Sequence, residues 1–218
     1  MPILSLPSPY GIGTLGEEAR KFADFLAAGG QSCWQSLPVG PPRYGASPYQ
    51  SFSSFAGNPY FIDLDTLAEE GLLEPSEFQS LNWGENPEYV DYGLMYETRY
   101  PVLHRACDRL LAQDRPEFAA FCAEQADWLE DYALFMALKD RHGGASWFTW
   151  QSDIRLRRPA ALERARQELA GEVDFWRAVQ FLFFQQWTAW KKYVNRLGIT
   201  IIGDLPIYVS GDSADVWA

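Results

Sequence analysis

The 218 residues contain 18 Lys and Arg against 29 Asp and Glu, and the resulting net charge of -11 disfavours binding to the phosphates of nucleic acid. Hydrophobic residues make up 47% and aromatic residues 16% of the chain, a composition that supports a folded core and excludes general disorder. The apolar runs are far shorter than the roughly 20 residues of a membrane span, and the first residues do not form a signal peptide. We therefore expect a cytoplasmic protein with no nucleic-acid or membrane partner.

The cysteines and histidines predict neither a disulfide framework nor a metal site. Cys33, Cys107 and Cys122 are odd in number and form no C-x-x-C pattern, which is typical of thiols in a reducing compartment. His104 and His142 each fall in a predicted helix, without a second ligand type at metal-binding spacing. We expect no bound metal, and a Ser-His-Asp triad is disfavoured on the same grounds.

Residues 1–60 are predicted to lead from a loop into one helix and one strand. In chain order these are a loop over 5–16, an amphipathic helix that ends at Gly29, a strand over 32–39 and a long loop over 40–60. The long loop contains Tyr49, Phe52, Phe55 and Tyr60. A loop of this length without periodicity is usually functional or disordered, and its aromatic content favours function.

Helical periodicity then continues to residue 197. The predicted helices cover 65–71, 95–114, 116–142 and 160–197, the last with a continuous apolar stripe that ends before Gly198. The β-branched run at 199–209 is typical of a parallel strand covered on both faces. Such a strand needs a further neighbour, so we expect more protein to follow Ala218.

The segment from Gly11 to Gly16 matches G-x-G-x-x-G, a motif that binds dinucleotides when it follows a strand. Pro7 and Pro9 lie where that strand would be, and the next strand is not followed by an acidic residue for a ribose hydroxyl. The motif is therefore interpreted as a tight turn into a helix, and no cofactor is expected.

Two alternatives stay open for the polar and aromatic residues of the predicted loops. Asp204 interrupts an apolar strand, where a carboxylate either caps nearby loop amides or faces a site at the carboxyl end of the strand. The aromatic loop either packs as a hydrophobic plug or binds a sugar, whose C–H faces pack on aromatic rings while its hydroxyls bond to Tyr, Ser, Asn and Gln.

Three groups of motifs extend along the chain. They are S-L-P-S-P-Y-G-I-G at 5–13, W-Q-S-L-P at 34–38 with the loop 47–60, and G-D-L-P-I-Y-V at 203–209 with D-S-A-D-V-W-A at 212–218. Together they resemble the amylomaltases, which are 4-alpha-glucanotransferases of the alpha-amylase superfamily. Segments 91–96 and 128–139 are similar to the family as well, so the resemblance covers essentially the whole chain.

The resemblance implies an α/β fold, an incomplete (β/α)8 TIM barrel with a large, mainly helical insertion. Residues 1–61 would begin the barrel and carry the substrate loop 40–60, residues 62–197 would form the insertion and a barrel helix, and residues 198–218 would hold the third strand. Most of the first strand and the rest of the barrel would lie outside the 218 residues, since such a barrel needs about 250 residues even without insertions.

The resemblance also implies an activity. Family members transfer α-1,4-glucan segments between maltooligosaccharides by a retaining reaction, in which one carboxylate attacks the anomeric carbon and another carboxyl group protonates the leaving sugar. Both groups would follow later strands, beyond Ala218, so no catalytic residue is expected here and the chain alone would be inactive. The residues that match the substrate site are Ser47, Tyr49 and Asp204, and those that match an accessory glucan site are Tyr44 and Tyr96.

Two other functions stay open at this point. One is a non-catalytic module that binds glucans through the same loop, which tight binding of maltoheptaose by the chain alone would favour. The other is a hydrolase of the same superfamily, which only the residues after Ala218 would distinguish from a transferase. In each case the expected partner is a maltooligosaccharide or a starch-like α-1,4-glucan.

Overall fold

The computed structural model describes residues 1–42, 47–86 and 88–218, which are mostly helical. The helices are α1 (Glu17–Ala28), α2 (Leu64–Glu69), α3 (Tyr92–Leu111), α4 (Pro116–Glu124), α5 (Ala126–Arg141), α6 (Ser152–Arg155), α7 (Pro159–Glu168), α8 (Ala170–Arg196) and α9 (Ala214–Trp217). Short 3-10 turns cover Ile3–Ser5, Pro59–Phe61, Pro75–Glu77 and Trp147–Thr149. Two strands, β1 (Cys33–Gln35) and β2 (Thr200–Ile202), form a parallel pair in which Trp34 lies beside Ile201.

Helix α8 is the central element of the fold. It has 27 residues and packs against α1, α3, α4, α5, α7 and β2. The stripe predicted from its periodicity is buried at Phe175, Val179, Phe183, Trp190 and Val194. Within the described ranges no helix, α8 included, combines the length and the apolar composition of a membrane span.

Two predicted helices are each divided in the structure. The segment 116–142 forms α4 and α5, which meet at Gln125, and the segment 160–197 forms α7 and α8, which meet at Leu169. Both junction residues leave helical geometry, with φ and ψ of -103° and 11° at Gln125 and of -113° and 23° at Leu169. Neither residue is Gly or Pro, and the apolar periodicity continues across both, so nothing in the pattern indicates the breaks.

Local sequence signals explain the structure at the start of the chain and at the start of α3. Gly11 has a φ of +77°, a left-handed conformation that glycine adopts without strain, and Gly16 is the residue before α1. The tight turn into a helix is therefore confirmed. Helix α3 begins three residues before the predicted start, because the Asp91 carboxylate accepts the Leu94 N–H at 3.0 Å.

Both strands are shorter than the sequence predicts. The pairing of β2 with β1 ends at Ile202, and Pro206 further on has no N–H to donate to a ladder. Leu205, Ile207 and Tyr208 are more than four-fifths exposed. The prediction that 199–209 is one strand covered on both faces is therefore wrong for the described residues, although its first part does form a parallel strand.

Two glutamines of α8 fix the chain that leads away from β1. The side-chain amide of Gln180 accepts the Gly57 N–H at 2.7 Å and donates to the Gly57 carbonyl at 3.1 Å. The amide of Gln186 makes the same pair of bonds to the backbone of Asp63, at 2.7 and 3.1 Å. Both glutamines are buried, so each satisfies two backbone groups that water does not reach.

Candidate functional site

The carboxyl ends of β1 and β2 open into loops that line a common cleft of about 300 Å³. Neighbouring parallel strands bring these ends to the same edge of a sheet, where loops commonly carry the functional residues. The loop after β1, the loop after β2 and one side of α8 all contribute to the cleft wall. The lining residues that matter here are Tyr49, Phe55, Phe184, Trp187, Lys191 and Asp204.

Tyr49 and Asp204 are brought together in this cleft. The Tyr49 hydroxyl donates a 2.7 Å hydrogen bond to Asp204 Oδ2, although 155 residues separate the two in sequence. This hydrogen bond is the main cause that raises the pKa of Tyr49, so the hydroxyl remains a proton donor at neutral pH. Tyr49 is 45% exposed, so an aromatic face and a carboxylate lie side by side where a ligand can reach them.

The remaining predicted substrate residue, Ser47, lies beside the cleft. Its carbonyl accepts the Gln50 N–H at 3.1 Å in a turn that carries Tyr49. The cleft lining begins one residue later, at Pro48. Tyr44, which was predicted for an accessory glucan site, lies outside the described residues.

The loop after β1 is held to the segment that follows β2. The Phe52 carbonyl accepts the Ala214 N–H at 2.8 Å, and the Ser54 N–H donates to the Asp215 carboxylate at 2.7 Å. These bonds join the two loops that carry Tyr49 and Asp204. Their relative position therefore depends on the segment 212–215, which follows β2 in the chain.

A buried ion pair fixes that segment to the helical region. Lys139 of α5 bonds to the Asp212 carboxylate at 2.9 Å and donates to the carbonyls of Gly144 and Ala145 at 2.9 and 3.1 Å. The other Asp212 oxygen accepts the Trp147 N–H at 3.2 Å. The side chains of both ions are less than one-tenth exposed, so each charge depends on these partners for the solvation it has lost.

The contribution of α8 to the cleft was missed at the level of sequence. Trp187 was interpreted as part of one buried stripe, yet it is only half-buried and lines the cleft together with the half-buried Phe184, which the sequence did not single out. Lys191 follows Trp187 by four residues, which places both on the same side of the helix. A lysine one turn after a tryptophan at the edge of the stripe was the available signal.

The aromatic residues of the substrate loop divide between the two roles that the sequence left open. Tyr60 is buried and Phe52 is half-buried, and both pack on the core. Tyr49 and Phe55 are exposed in the cleft, at 45% and 60%. One side of the loop thus packs on the hydrophobic core, and the other side faces the cleft.

Tyr96 lies in a second cleft, of about 450 Å³, between α3, α5 and α8. The residue is half exposed, and its ring contacts Tyr100 at a centroid distance of 5.0 Å. Asp140 and Trp176 also line this cleft, and Trp176 Nε1–H donates to the Asp140 carboxylate at 2.9 Å. Burial raises the pKa of Asp140 to about 6. Tyr96 therefore does not share the cleft of Tyr49 and Asp204.

Both histidines pack against aromatic rings. The His104 ring stacks on Phe175 at 3.6 Å, and burial lowers the pKa of His142, which lies against Trp150. In the part of the chain that the structure describes, no group of three or more His, Cys, Asp and Glu side chains is arranged to hold a metal ion.

Comparison with known proteins identifies the family. The family model described as 4-alpha-glucanotransferase matches residues 1–218. This chain belongs to that family. The resemblance seen in the motifs at 5–13, 34–60 and 203–218 is thereby confirmed.

Comparison with curated members of the family shows what share of their length this chain covers. The 4-alpha-glucanotransferase of Clostridium butyricum is 48% identical over all of this chain and 45% of its own length. That of Thermus thermophilus is 50% identical over 98% of this chain and 43% of its own length. The chain thus spans less than half the length of these relatives.

Solved structures match as well. The chain superposes on an amylomaltase from Streptococcus agalactiae in complex with acarbose with a TM-score of 0.96 and 42% identity, over all of this chain and 44% of the other. An amylomaltase from Corynebacterium glutamicum gives a TM-score of 0.70 at 20% identity, over 98% of this chain and 30% of the other, and shares the fold. The fold is accordingly part of an amylomaltase structure, mostly helical with a small parallel sheet.

Proposed function

We propose that this chain is the substrate-binding part of a 4-alpha-glucanotransferase that transfers α-1,4-glucan segments between maltooligosaccharides. The observation that carries the proposal is the hydrogen bond from Tyr49 to Asp204, in a cleft at the carboxyl ends of two adjacent parallel strands. An amylomaltase of the same fold was solved with acarbose, which supports a carbohydrate ligand for the family.

In the proposed reaction, Tyr49 and Asp204 bind the sugar at the bond that is cut. The ring of Tyr49 packs on the C–H face of the glucose, and the Asp204 carboxylate accepts hydrogen bonds from its hydroxyls. Such bonds accelerate the reaction where they strengthen as the ring approaches its oxocarbenium-like transition state. The nucleophile and the acid/base group, about 5–5.5 Å apart in a retaining enzyme, belong to the part of the family's length that these residues do not span.

The same proposal assigns the architecture. We infer that β1 and β2 are the second and third strands of a (β/α)8 barrel, that residues 62–197 combine an insertion with a barrel helix, and that residues 1–61 and 198–218 flank them. The parallel pairing of β1 with β2 and the packing of α8 on β2 support this assignment.

Three further assignments rest on sequence grounds. Ser47 contributes to the substrate site through the turn that carries Tyr49. Tyr96, in its separate cleft, contributes to an accessory glucan site. The cytoplasm is the proposed location of the protein.

Incubation with maltotriose tests the activity, in a protein of full family length that contains this chain. A transferase produces glucose together with longer maltooligosaccharides and no net gain of reducing ends. A steady gain of reducing ends would instead identify a hydrolase, and saturable binding without any product would identify a binding module. Rapid turnover by the 218 residues alone would contradict the assignment of the catalytic carboxyl groups to other parts of the family's length.

A further inference from the structure

An exposed phenylalanine borders the cleft in a way that core packing does not explain. Phe55 is 60% exposed and lines the cleft, while Ala56 and Asn58 directly after it are buried. Exposing a large aromatic side chain forgoes the stabilisation that its burial would provide. Aromatic rings held in this way beside a polar site commonly contact a ligand.

The backbone beneath this ring is fixed, so the ring does not retreat into the core. Ser53 Oγ accepts the Phe55 N–H at 3.1 Å, and the next residues are held by the amide of Gln180. A Cβ atom at Gly57 would lie 1.9 Å from the Phe183 ring, which shows how closely the loop is pressed against α8. The exposed position of Phe55 is thus built into the loop.

The Phe55 ring is also supported from one side. It lies nearly parallel to the indole of Trp128, with 6.2 Å between ring centroids and 18° between planes. Trp128 is half-buried, donates its Nε1–H to Gln125 Oε1 at 2.8 Å and contacts Phe184 of the cleft wall at 6.0 Å. Phe55, Trp128 and Phe184 therefore form a continuous aromatic surface at the border of the cleft, which we call the aromatic border.

We propose that the aromatic border is an outer glucan subsite that sets the preferred length of the substrate. This inference rests on the proposed function, because it assigns the residues that hold glucose units beyond the one bound by Tyr49 and Asp204. Each glucose of an α-1,4-glucan presents an apolar face, so a chain that leaves the cleft over Phe55 gains contacts that a short sugar does not reach. Phe55 and Phe184 of the border line the same cleft as Asp204, which favours a glucan as the occupant over a protein partner.

The test compares KM for maltotriose and maltoheptaose in a protein of full family length that contains this chain. Phe55→Ala should raise KM for maltoheptaose about tenfold, equivalent to about 1.4 kcal/mol, and leave KM for maltotriose within about twofold. Phe55→Trp should retain the wild-type preference, whereas Phe55→Leu, which is apolar but has no ring, should behave like alanine. Phe25→Ala is the matched control, because Phe25 is 70% exposed on α1 and does not line the cleft.

Several outcomes would overturn the inference. An equal rise in KM for both sugars, or a fall in thermal stability together with kcat, would show that Phe55 acts structurally or is covered by another part of the polypeptide. Unchanged KM values in Phe55→Ala would rule out the subsite. A wild-type KM for maltoheptaose in Phe55→Leu would show that the aromatic ring is not required. If the wild-type protein transferred neither sugar, the proposed function would have failed, and that result is distinct from all of these.

Discussion

The bond between Tyr49 and Asp204 joins two residues that serve different parts of one recognition task. The tyrosine offers a flat apolar face with a polar tip, and the carboxylate accepts hydrogen bonds from hydroxyl groups. A second pair of the same chemistry lies elsewhere on the surface, where the Tyr193 hydroxyl donates to Asp24 at 2.5 Å. Chemistry alone therefore does not make a site, and position at the strand ends distinguishes the two pairs.

Substitutions of Tyr49 should separate the contribution of its ring from that of its hydroxyl. Tyr49→Ala removes both and should lower kcat/KM for maltotriose about 100-fold, whereas Tyr49→Phe removes a hydrogen bond to a charged group, worth about 1.5–3 kcal/mol, and should lower it about tenfold. Tyr193→Phe is the matched control and should leave the rate unchanged. Equal activity of Tyr49→Ala and wild type would show that Tyr49 does not bind the substrate.

At the residue scale, the sequence motifs singled out two residues that the structure brings together in one cleft. Asp204 was recognisable as a carboxylate in an apolar run, and Tyr49 through the long motif at 47–60. Gln180 and Lys139 were not recognisable, because a polar residue in a helix is normally on its solvated side. Their roles depend on which backbone groups the fold leaves without a partner, and only the three-dimensional arrangement reveals those.

Among the elements, helix α5 holds the cleft through Lys139. Lys139→Met would remove the Lys139 charge from the buried Asp212 carboxylate and should lower the free energy of unfolding by about 3–5 kcal/mol. The double variant Lys139→Met with Asp212→Asn should recover part of this loss, because the amide keeps an acceptor for the Trp147 N–H. Urea unfolding followed by tryptophan fluorescence measures both effects.

The matched control for this pair is Lys21→Met, which removes an exposed ion pair with Glu17 and Glu18 on α1. It should unfold at the wild-type urea concentration, since exposed pairs contribute little. If Lys139→Met behaved like Lys21→Met, the buried pair would not be what fixes the segment around residue 212.

Helices α5 and α8 are also linked through Asp140, a carboxyl group whose pKa is higher than usual. The pKa of Asp140 is raised by burial to about 6 in the folded state, against an ordinary value of 3.8. Between these values the folded protein binds more protons than the unfolded chain, so stability falls as the pH rises from about 4 to 6. The Asp140 residue is nevertheless exposed to solvent, so solvent screening weakens this effect on stability.

Asp140→Asn should flatten this decline and make the protein more stable than wild type at pH 7, with little difference at pH 4. The asparagine side-chain oxygen still accepts the Trp176 Nε1–H. Unfolding by urea at the two pH values provides the measurement, with Asp24→Asn as the exposed control. A variant less stable than wild type at pH 7 would indicate that the Asp140 charge is compensated in the fold.

The order of the elements was largely predictable, whereas their boundaries were not. The period of α8 and the change to a β-branched run at Ile199 mark real transitions. The breaks at Gln125 and Leu169 separate α4 from α5 and α7 from α8, helices that pack on one another, and the periodicity contains no signal for them. Likewise, β2 ends where its partner β1 ends. The sequence of a strand does not specify its partner, so this end was not predictable.

At the scale of the whole molecule, the helical region contacts two loops that are distant in sequence and holds them next to each other. Its contacts with the loops run through Gln180 at Gly57 and Lys139 at Asp212. The cleft therefore depends on residues far from it in sequence. The family relationship was recognisable from motifs alone, but this dependence became apparent only from the structure.

The most direct test of this account is the transfer rate of Asp204→Asn, measured with maltotriose in a protein of full family length that contains this chain. Asparagine preserves an oxygen that accepts the Tyr49 hydroxyl but removes the charge that strengthens hydrogen bonds to the sugar. We expect kcat/KM to fall about 100-fold or more, with thermal stability unchanged and Asp24→Asn fully active. Wild-type turnover by Asp204→Asn would contradict the account, because the cleft would then not be where the glucan is bound for transfer.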